Sequence, residues 1–293
     1  IFMPIVASFF ALGLLLGIGG GVLMSVAKGS GNESLAHKYF STAMISAAVV
    51  SVCFAVFGAI FFDPMMYALG ADTTNIELVR GYGLCYTVSA PLFIFSSSLQ
   101  SFIRNDKSPR HAMIAVLTGS GLNILLDYLF IFVFKMGMFG ASFATSIGTS
   151  ITVCILIIHF FTKKNTMRFS FRFFSIKALW EIAKCGFSSF LIECANAVLV
   201  FVFNHTLLKY IGSVGVTVYS IMSNVAVVCM SLFNGVTLAA QPIIATNHGA
   251  DNHKRVLQVR HIGTITSSVI AVIIFCVGFF FPDLLIYSYV KGP

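Results

Sequence analysis

The 293 residues are 58% hydrophobic and only 10% charged, with a mean hydropathy of +0.94, whereas ordinary soluble domains carry about 25% charged residues. This composition excludes a soluble globular enzyme or binding module and leaves a polytopic membrane protein, because several apolar runs reach the ~20 residues needed to cross about 30 Å of hydrocarbon. The net charge of +8 does not indicate a nucleic-acid partner: Lys and Arg sit in short loops, where the positive-inside rule accounts for them, and no interleaved aromatic and basic patch is present.

Eight spans are predicted, over residues 4–27, 39–62, 81–102, 112–134, 138–160, 183–207, 215–245 and 263–286. In the first, Gly17-Ile18-Gly19-Gly20-Gly21 superficially resembles a phosphate-cradling loop, but no GK[ST] follows, so close packing of helices by small residues is the expectation. The third ends in Ser96, Ser97, Ser98 and Gln100, which either line a water-filled vestibule or are solvated beside the loop. Only Lys135-Met136-Gly137 separates the fourth and fifth, which requires a tight helical hairpin. Residues 162–180, TKKNTMRFSFRFFSIKALW, are read as part of a basic linker over 162–182, with an interfacial amphipathic helix as the alternative. The sixth span contains Glu193 and Asn196. In the seventh a break is expected near Gln241-Pro242, since an interior proline removes a backbone hydrogen bond. The seven cysteines have no metal-ligand spacing and are read as small buried hydrophobes.

The loops set the orientation. Lys28, Lys38, Arg104, Lys107, Arg110, Lys163, Lys164, Arg168, Arg172, Lys177, Lys184, Lys254, Arg255 and Arg260 follow the odd-numbered spans, against only Arg80, Lys135, Lys209 and Lys291 in the alternate loops. The loops near 28–38, 103–111, 162–182 and 246–262 are therefore assigned to the cytoplasm, and Asp63, Asp72 and Glu77 to the outside. Asn32-Glu33-Ser34 fits a glycosylation sequon but falls on the cytoplasmic side.

An internal repeat emerges when loops are aligned. SVAKGSGNESLA leads into an apolar run closing on FFDPMMYALG, and IATNHGADNHKR into one closing on FFFPDLLIY, so that Gly29 falls on Gly249 and Asn32 on Asn252. Spans one and two then correspond to seven and eight. The unit is six helices, and both copies share one membrane orientation, a parallel repeat. The expectation is a twelve-helix, two-lobe protein, of which this chain holds eight helices: residues 1–161 in the first lobe without its first helix, 183–293 in the second.

Two acids lie deep inside spans. Asp127 is costly there, on the order of 3 kcal/mol at a bilayer centre, and intramembrane acids face a cavity or a partner. Asn123 precedes it by four residues on the same helical face. Asp127 lies nine residues before Met136 and Thr145 nine after, so at 1.5 Å per residue both sit about 13 Å below the turn. A carboxylate, an amide oxygen and a hydroxyl are ligands for a small hard cation, and a desolvated carboxylate equally suits a proton. Spacing does not choose between Na+ and H+. Glu193 and Asn196 form a second candidate, for a cationic ligand or a second proton, with a structural pairing to Asn234 as the plain alternative. Six histidines (His37, His111, His159, His248, His253 and His261) fall in or beside cytoplasmic loops, and no HExxH or nucleophile–base set is present, so no enzyme is expected.

The segments GIGGGVLMSVAKGSGN, QSFIRNDKSPRHAM, GLNILLDYLFIF with GMFGASFATSIGT, and AAQPIIATNHGADN resemble the MATE (multidrug and toxic compound extrusion) family across nearly the whole chain. The resemblance implies two six-helix lobes around a cavity of alternating access. It further implies a first-lobe cation site made of an acid on the first helix, which this chain does not include, an Asn and an Asp four apart on the fifth, and a Thr on the sixth. The last three fall on Asn123, Asp127 and Thr145. An acid that another branch carries on the seventh helix falls on Glu193. Carrying both acids leaves the subfamily, and with it the coupling ion, open.

The expected function is a secondary antiporter in a prokaryotic plasma membrane, exporting amphipathic cationic compounds against inward Na+ or H+. It is expected to act as a monomer, with the bilayer as its partner and no other cofactor. The alternatives are a lipid-linked oligosaccharide flippase, disfavoured because basic residues avoid the spans, and an ion channel, for which no filter-like loop is seen.

Overall fold

A computed structural model of the chain describes residues 3–68 and 76–280. Asp72, Lys291 and most of the segment closing the second repeat copy lie outside them. All regular structure among the described residues is helical: α1 (Met3–Gly29), α2 (Glu33–Ile60), α3 (Phe62–Ala68), α4 (Ile76–Val88), α5 (Ala90–Asn105), α6 (Pro109–Asp127), α7 (Gly137–Ile158), α8 (Ile176–Tyr210), α9 (Ser213–Gly249) and α10 (His253–Phe280). Seven of the described helical stretches are long and apolar enough to cross a membrane.

The third predicted span is the exception. Residues 81–102 are two helices, α4 and α5, parted at Ser89. Pro91 has no N–H and its ring opposes the carbonyl of Thr87, so the helix stops and restarts. The opposite correction applies to α9, which runs unbroken through Pro242; one missing bond is tolerated in a long membrane helix. The cysteines also differ from expectation. Cys53 and Cys154 are exposed and the other five only half-buried, all with free thiols. As small apolar groups they need no protein neighbour on a lipid-facing flank.

The chain divides into two compact units, residues 1–197 and 198–293. In the first, α1 is the central post, and its glycines are the reason. A Cβ at Gly17 would lie 2.7 Å from the Ser98 Cα on α5, and one at Gly19 would lie 2.3 Å from the Ile182 carbonyl oxygen on α8. Without side chains at these positions, α1 meets two helices at backbone distance, the usual basis of membrane helix packing. Ser96, Ser97 and Ser98 are buried rather than lining a vestibule; Ser97 and Ser98 lie against α1 at Gly13 and Gly17, and Ser98 Oγ donates to the Gly13 carbonyl at 3.0 Å. Phe9, Phe40, Ile94, Phe102 and Ile182 fill the space between. On α8, a Cβ at Gly186 would stand 2.0 Å from the Leu15 carbonyl oxygen. We expect Gly186→Ala to separate α1 from α8 and to destabilise the unit by about 2–3 kcal/mol, the upper range for overpacking, read as a lowered melting temperature in detergent.

The segment predicted as linker is tied down rather than loose. Residues 162–175 form an irregular strap with one 3₁₀ turn at Phe171–Phe173, not an amphipathic helix, and α8 already begins at Ile176. Ser41 Oγ donates to the Arg168 carbonyl and accepts from the Ser170 N–H; Thr42 Oγ1 does the same with Phe173 and Ser175. Met167 is buried against the core.

The repeat is visible in hydrogen bonds. After α1, Ser30 N–H bonds Val26, Gly31 N–H bonds Lys28 and Asn32 N–H bonds Ala27; after α9, Ala250 bonds Thr246, Asp251 bonds His248 and Asn252 bonds Asn247. Gly31 and Asp251 both have positive φ, 76° and 53°. The Asn32 side chain then caps α2 by accepting from Leu35 N–H at 3.0 Å, and Asn252 caps α10 by accepting from Arg255 N–H at 3.2 Å. One turn thus recurs bond for bond at an offset of 220 residues, with Asn as the N-cap each time. These caps also explain why α2 and α10 start earlier than their apolar runs predict.

Candidate functional site in the α6–α7 hairpin

Small residues bring α6 and α7 together. A Cβ at Gly119 would lie 2.6 Å from the Gly148 carbonyl oxygen, and one at Gly148 would lie 3.0 Å from the Asn123 Cβ. At this crossing Asn123 Nδ2 donates to Thr145 Oγ1 at 3.3 Å, while Thr145 Oγ1 donates to the Ala141 carbonyl at 2.9 Å. Asn123 therefore keeps its amide oxygen free for a ligand, and the Thr145 hydroxyl oxygen is held in a fixed orientation.

Asp127 is the last residue of α6, one turn beyond Asn123 on the same face. It is half-buried, and its Oδ1 is a buried acceptor without a hydrogen-bond partner. It bonds to neither Asn123 nor Thr145. Directly after it the chain winds as a π-helix, Tyr128–Val133, closed by Phe134 N–H to Leu129 and Met136 N–H to Phe130; Lys135 and Gly137 turn the hairpin with positive φ. Such π-turns concentrate at functional positions. The orphaned carboxylate oxygen and the two neutral oxygens nearby fit a small hard cation or a proton. Among the described residues no three His, Cys, Asp or Glu side chains cluster as a metal site.

Glu193 and Asn196 are not joined to this group. Both lie on α8, Glu193 half-buried and Asn196 exposed. No hydrogen bond among the described residues engages either side chain, and the suggested partner Asn234 is itself exposed.

A second polar centre went unforeseen. Asp106, between α5 and α6, is 2% exposed and receives hydrogen bonds from Lys28 Nζ on α1, from the Thr166 hydroxyl, from Thr166 N–H at 3.0 Å and from His159 Nε2 at 2.9 Å. Beside it Asn105 accepts from Ser25 Oγ at 2.8 Å. Burial pushes the Asp106 carboxyl up, but the bonds from Lys28, Thr166 and His159 outweigh it and hold the group below the usual carboxylate range. Asp106 thereby clamps α1, α7 and the strap into one body. The only sequence signal was an Asp directly after a span, which reads as a loop residue.

Comparisons with known proteins agree with this architecture. The MatE family profile matches residues 1–129 and 185–293. The chain is 29% identical over 247 residues to the multidrug export protein MepA of Staphylococcus haemolyticus, covering 84% of this chain and 54% of that one. It is 29% identical over 252 residues to MepA of Staphylococcus saprophyticus, covering 85% and 55%. The chain thus spans about half the length of the curated relatives it matches. Its fold is similar to that of a MOP-superfamily transporter from Pyrococcus furiosus (TM-score 0.89, 20% identity, 99% of this chain and 65% of that one). It is equally similar to a multidrug resistance MATE transporter in an outward-facing conformation (TM-score 0.89, 20% identity, 99% and 65%). With its apolar helices and bacterial relatives, it is a multi-pass protein of a prokaryotic plasma membrane. The chain belongs to the MatE family.

Proposed function

We propose that the protein is a secondary antiporter that exports amphipathic organic cations in exchange for inward Na+ or H+, with Asp127 as the coupling carboxylate and Asn123 and Thr145 as its neutral oxygen partners. The observation that carries this reading is the buried, unpartnered Asp127 Oδ1 one turn from the Asn123–Thr145 hydrogen bond. An acceptor left open in an apolar hairpin favours a cation or proton, and a neutralised hairpin differs in energy from an empty one. Coupling then requires only that ion and substrate prefer different states. Glu193, with Asn196 on the same helix, is assigned to substrate or to a second proton. We assign the moving parts to two lobes, residues 1–161 and 183–293 with 162–182 between them, while α8 as far as residue 197 packs with the first compact unit. The MepA relatives, named as multidrug exporters, support the choice of cargo. Drug efflux from everted vesicles under imposed Na+ or H+ gradients tests the proposal; export that ignores both gradients would overturn it.

A further inference from the structure

Next to the Asp106 clamp, at the Lys/Arg-rich ends of α6 and α7, lies a recess of about 570 Å³. Lys107, Arg110, Lys163 and Lys164 line it, and no ion pair among the described residues engages any of the four. No carboxylate is among the residues that line it, and neighbouring Asp106 is already taken up by Lys28, Thr166 and His159. The recess opens on the N-terminus of α6, whose N-cap is Ser108. That hydroxyl makes no capping bond. It belongs to a residue only 7% exposed, and its oxygen is buried without a partner. Pro109 has no N–H, and the amides of His111 and Ala112 both go to the Ser108 carbonyl. The N–H of Arg110 is left without a backbone acceptor there. Lys107 is held at φ 59°, in the left-handed region that non-glycine residues seldom adopt. Four free cations, a helix N-terminus and an unpartnered buried hydroxyl converge on one small cavity, which is how proteins hold phosphate.

We propose that this recess binds a phosphate ester, and that the natural ligand is the headgroup of an anionic phospholipid of the inner leaflet. The surroundings favour the lipid over a free phosphate. Below Arg110 on the same face of α6 run Met113, Ile114 and Leu117, all more than half exposed, and Phe161, 86% exposed, flanks the recess beside Lys163. This is an apolar track for an acyl chain under a basic pocket set at headgroup level.

The test uses the full chain in detergent. Retained phosphatidylglycerol is counted by native mass spectrometry, and glycerol 1-phosphate is titrated by thermal shift. Arg110→Gln/Lys164→Gln is expected to weaken phosphatidylglycerol retention at least about tenfold, the scale of one charge-assisted contact. Ser108→Ala, which changes no charge, is expected to weaken it about threefold. The control Arg172→Gln/Lys177→Gln, which removes the same charge from exposed positions outside the recess, is expected to change nothing. A loss confined to glycerol 1-phosphate would keep the phosphate site and overturn the lipid assignment. Equal losses in the control, or no loss in either recess variant, would overturn the site itself.

Discussion

Asp127→Asn is expected to lower gradient-driven export at least about tenfold while leaving the hairpin folded. Coupling free energies of ~1–3 kcal/mol correspond to about 5- to 150-fold changes in affinity, and a single carboxylate that carries the whole ion-dependent difference accounts for that range. The fold should survive because Asp127 makes no hydrogen bond that the amide would lose; its Oδ1 is already unpartnered. The seam of the hairpin is made elsewhere, by Gly119, Gly148 and the Asn123–Thr145 pair. Asparagine mimics the neutralised carboxyl, so the variant should still bind drug but no longer respond to Na+ or H+. Thr145→Val is expected to show a weaker version of the same defect, since it removes one neutral oxygen and also leaves the Asn123 amide without its acceptor.

The second large effect is on stability. Asp106→Ala is expected to destabilise residues 1–197 by about 3–5 kcal/mol, because it leaves the Lys28 ammonium without its counter-charge, with only the Thr166 hydroxyl as partner, and removes the acceptor of His159 and of the Thr166 N–H. The double variant Lys28→Met/Asp106→Leu should recover only the part of the loss that comes from the stranded ammonium, since His159 and the Thr166 N–H stay unpaired. A structural explanation that ignores charge would predict the reverse order. The pH dependence follows from the direction of the shift. A carboxyl held below its ordinary range stabilises the fold at pH values above that range, and the stabilisation is lost as pH falls through the folded-state value. The gap between native protein and Asp106→Asn should therefore close only below about pH 4, the ordinary carboxylate range. Thermal unfolding in detergent across that series checks both statements.

Local features of the sequence carried much of the architecture. Lys135-Met136-Gly137 marked the hairpin, and Asn32 and Asn252 marked a repeat that recurs in the structure bond for bond. Gly17 and Gly19 marked a helix packed on two sides. The break at Ser89 was also written there, in Pro91, but the apolar run around it masked the signal. Two features had no local signature. The π-turn after Asp127 follows from how Tyr128–Val133 winds, and those residues read equally well as α-helix. The Asp106 clamp depends on partners 78 residues away at Lys28 and 60 away at Thr166, which only the packing of α1 against α5 brings together. Of the acids inside spans, Asp127 lies one turn from the Asn123–Thr145 hydrogen bond, and Glu193 has no hydrogen bond among the described residues.

Competition between ion and drug through Asp127 can be measured without transport. Purified protein loaded with Na+, or equilibrated in weakly buffered solution for H+, is mixed with a cationic drug while released ion is recorded by a Na+-selective electrode or a pH dye. Ion release is expected as drug binds to the native protein, and drug binding with no release from Asp127→Asn. Equal release from both proteins would contradict it.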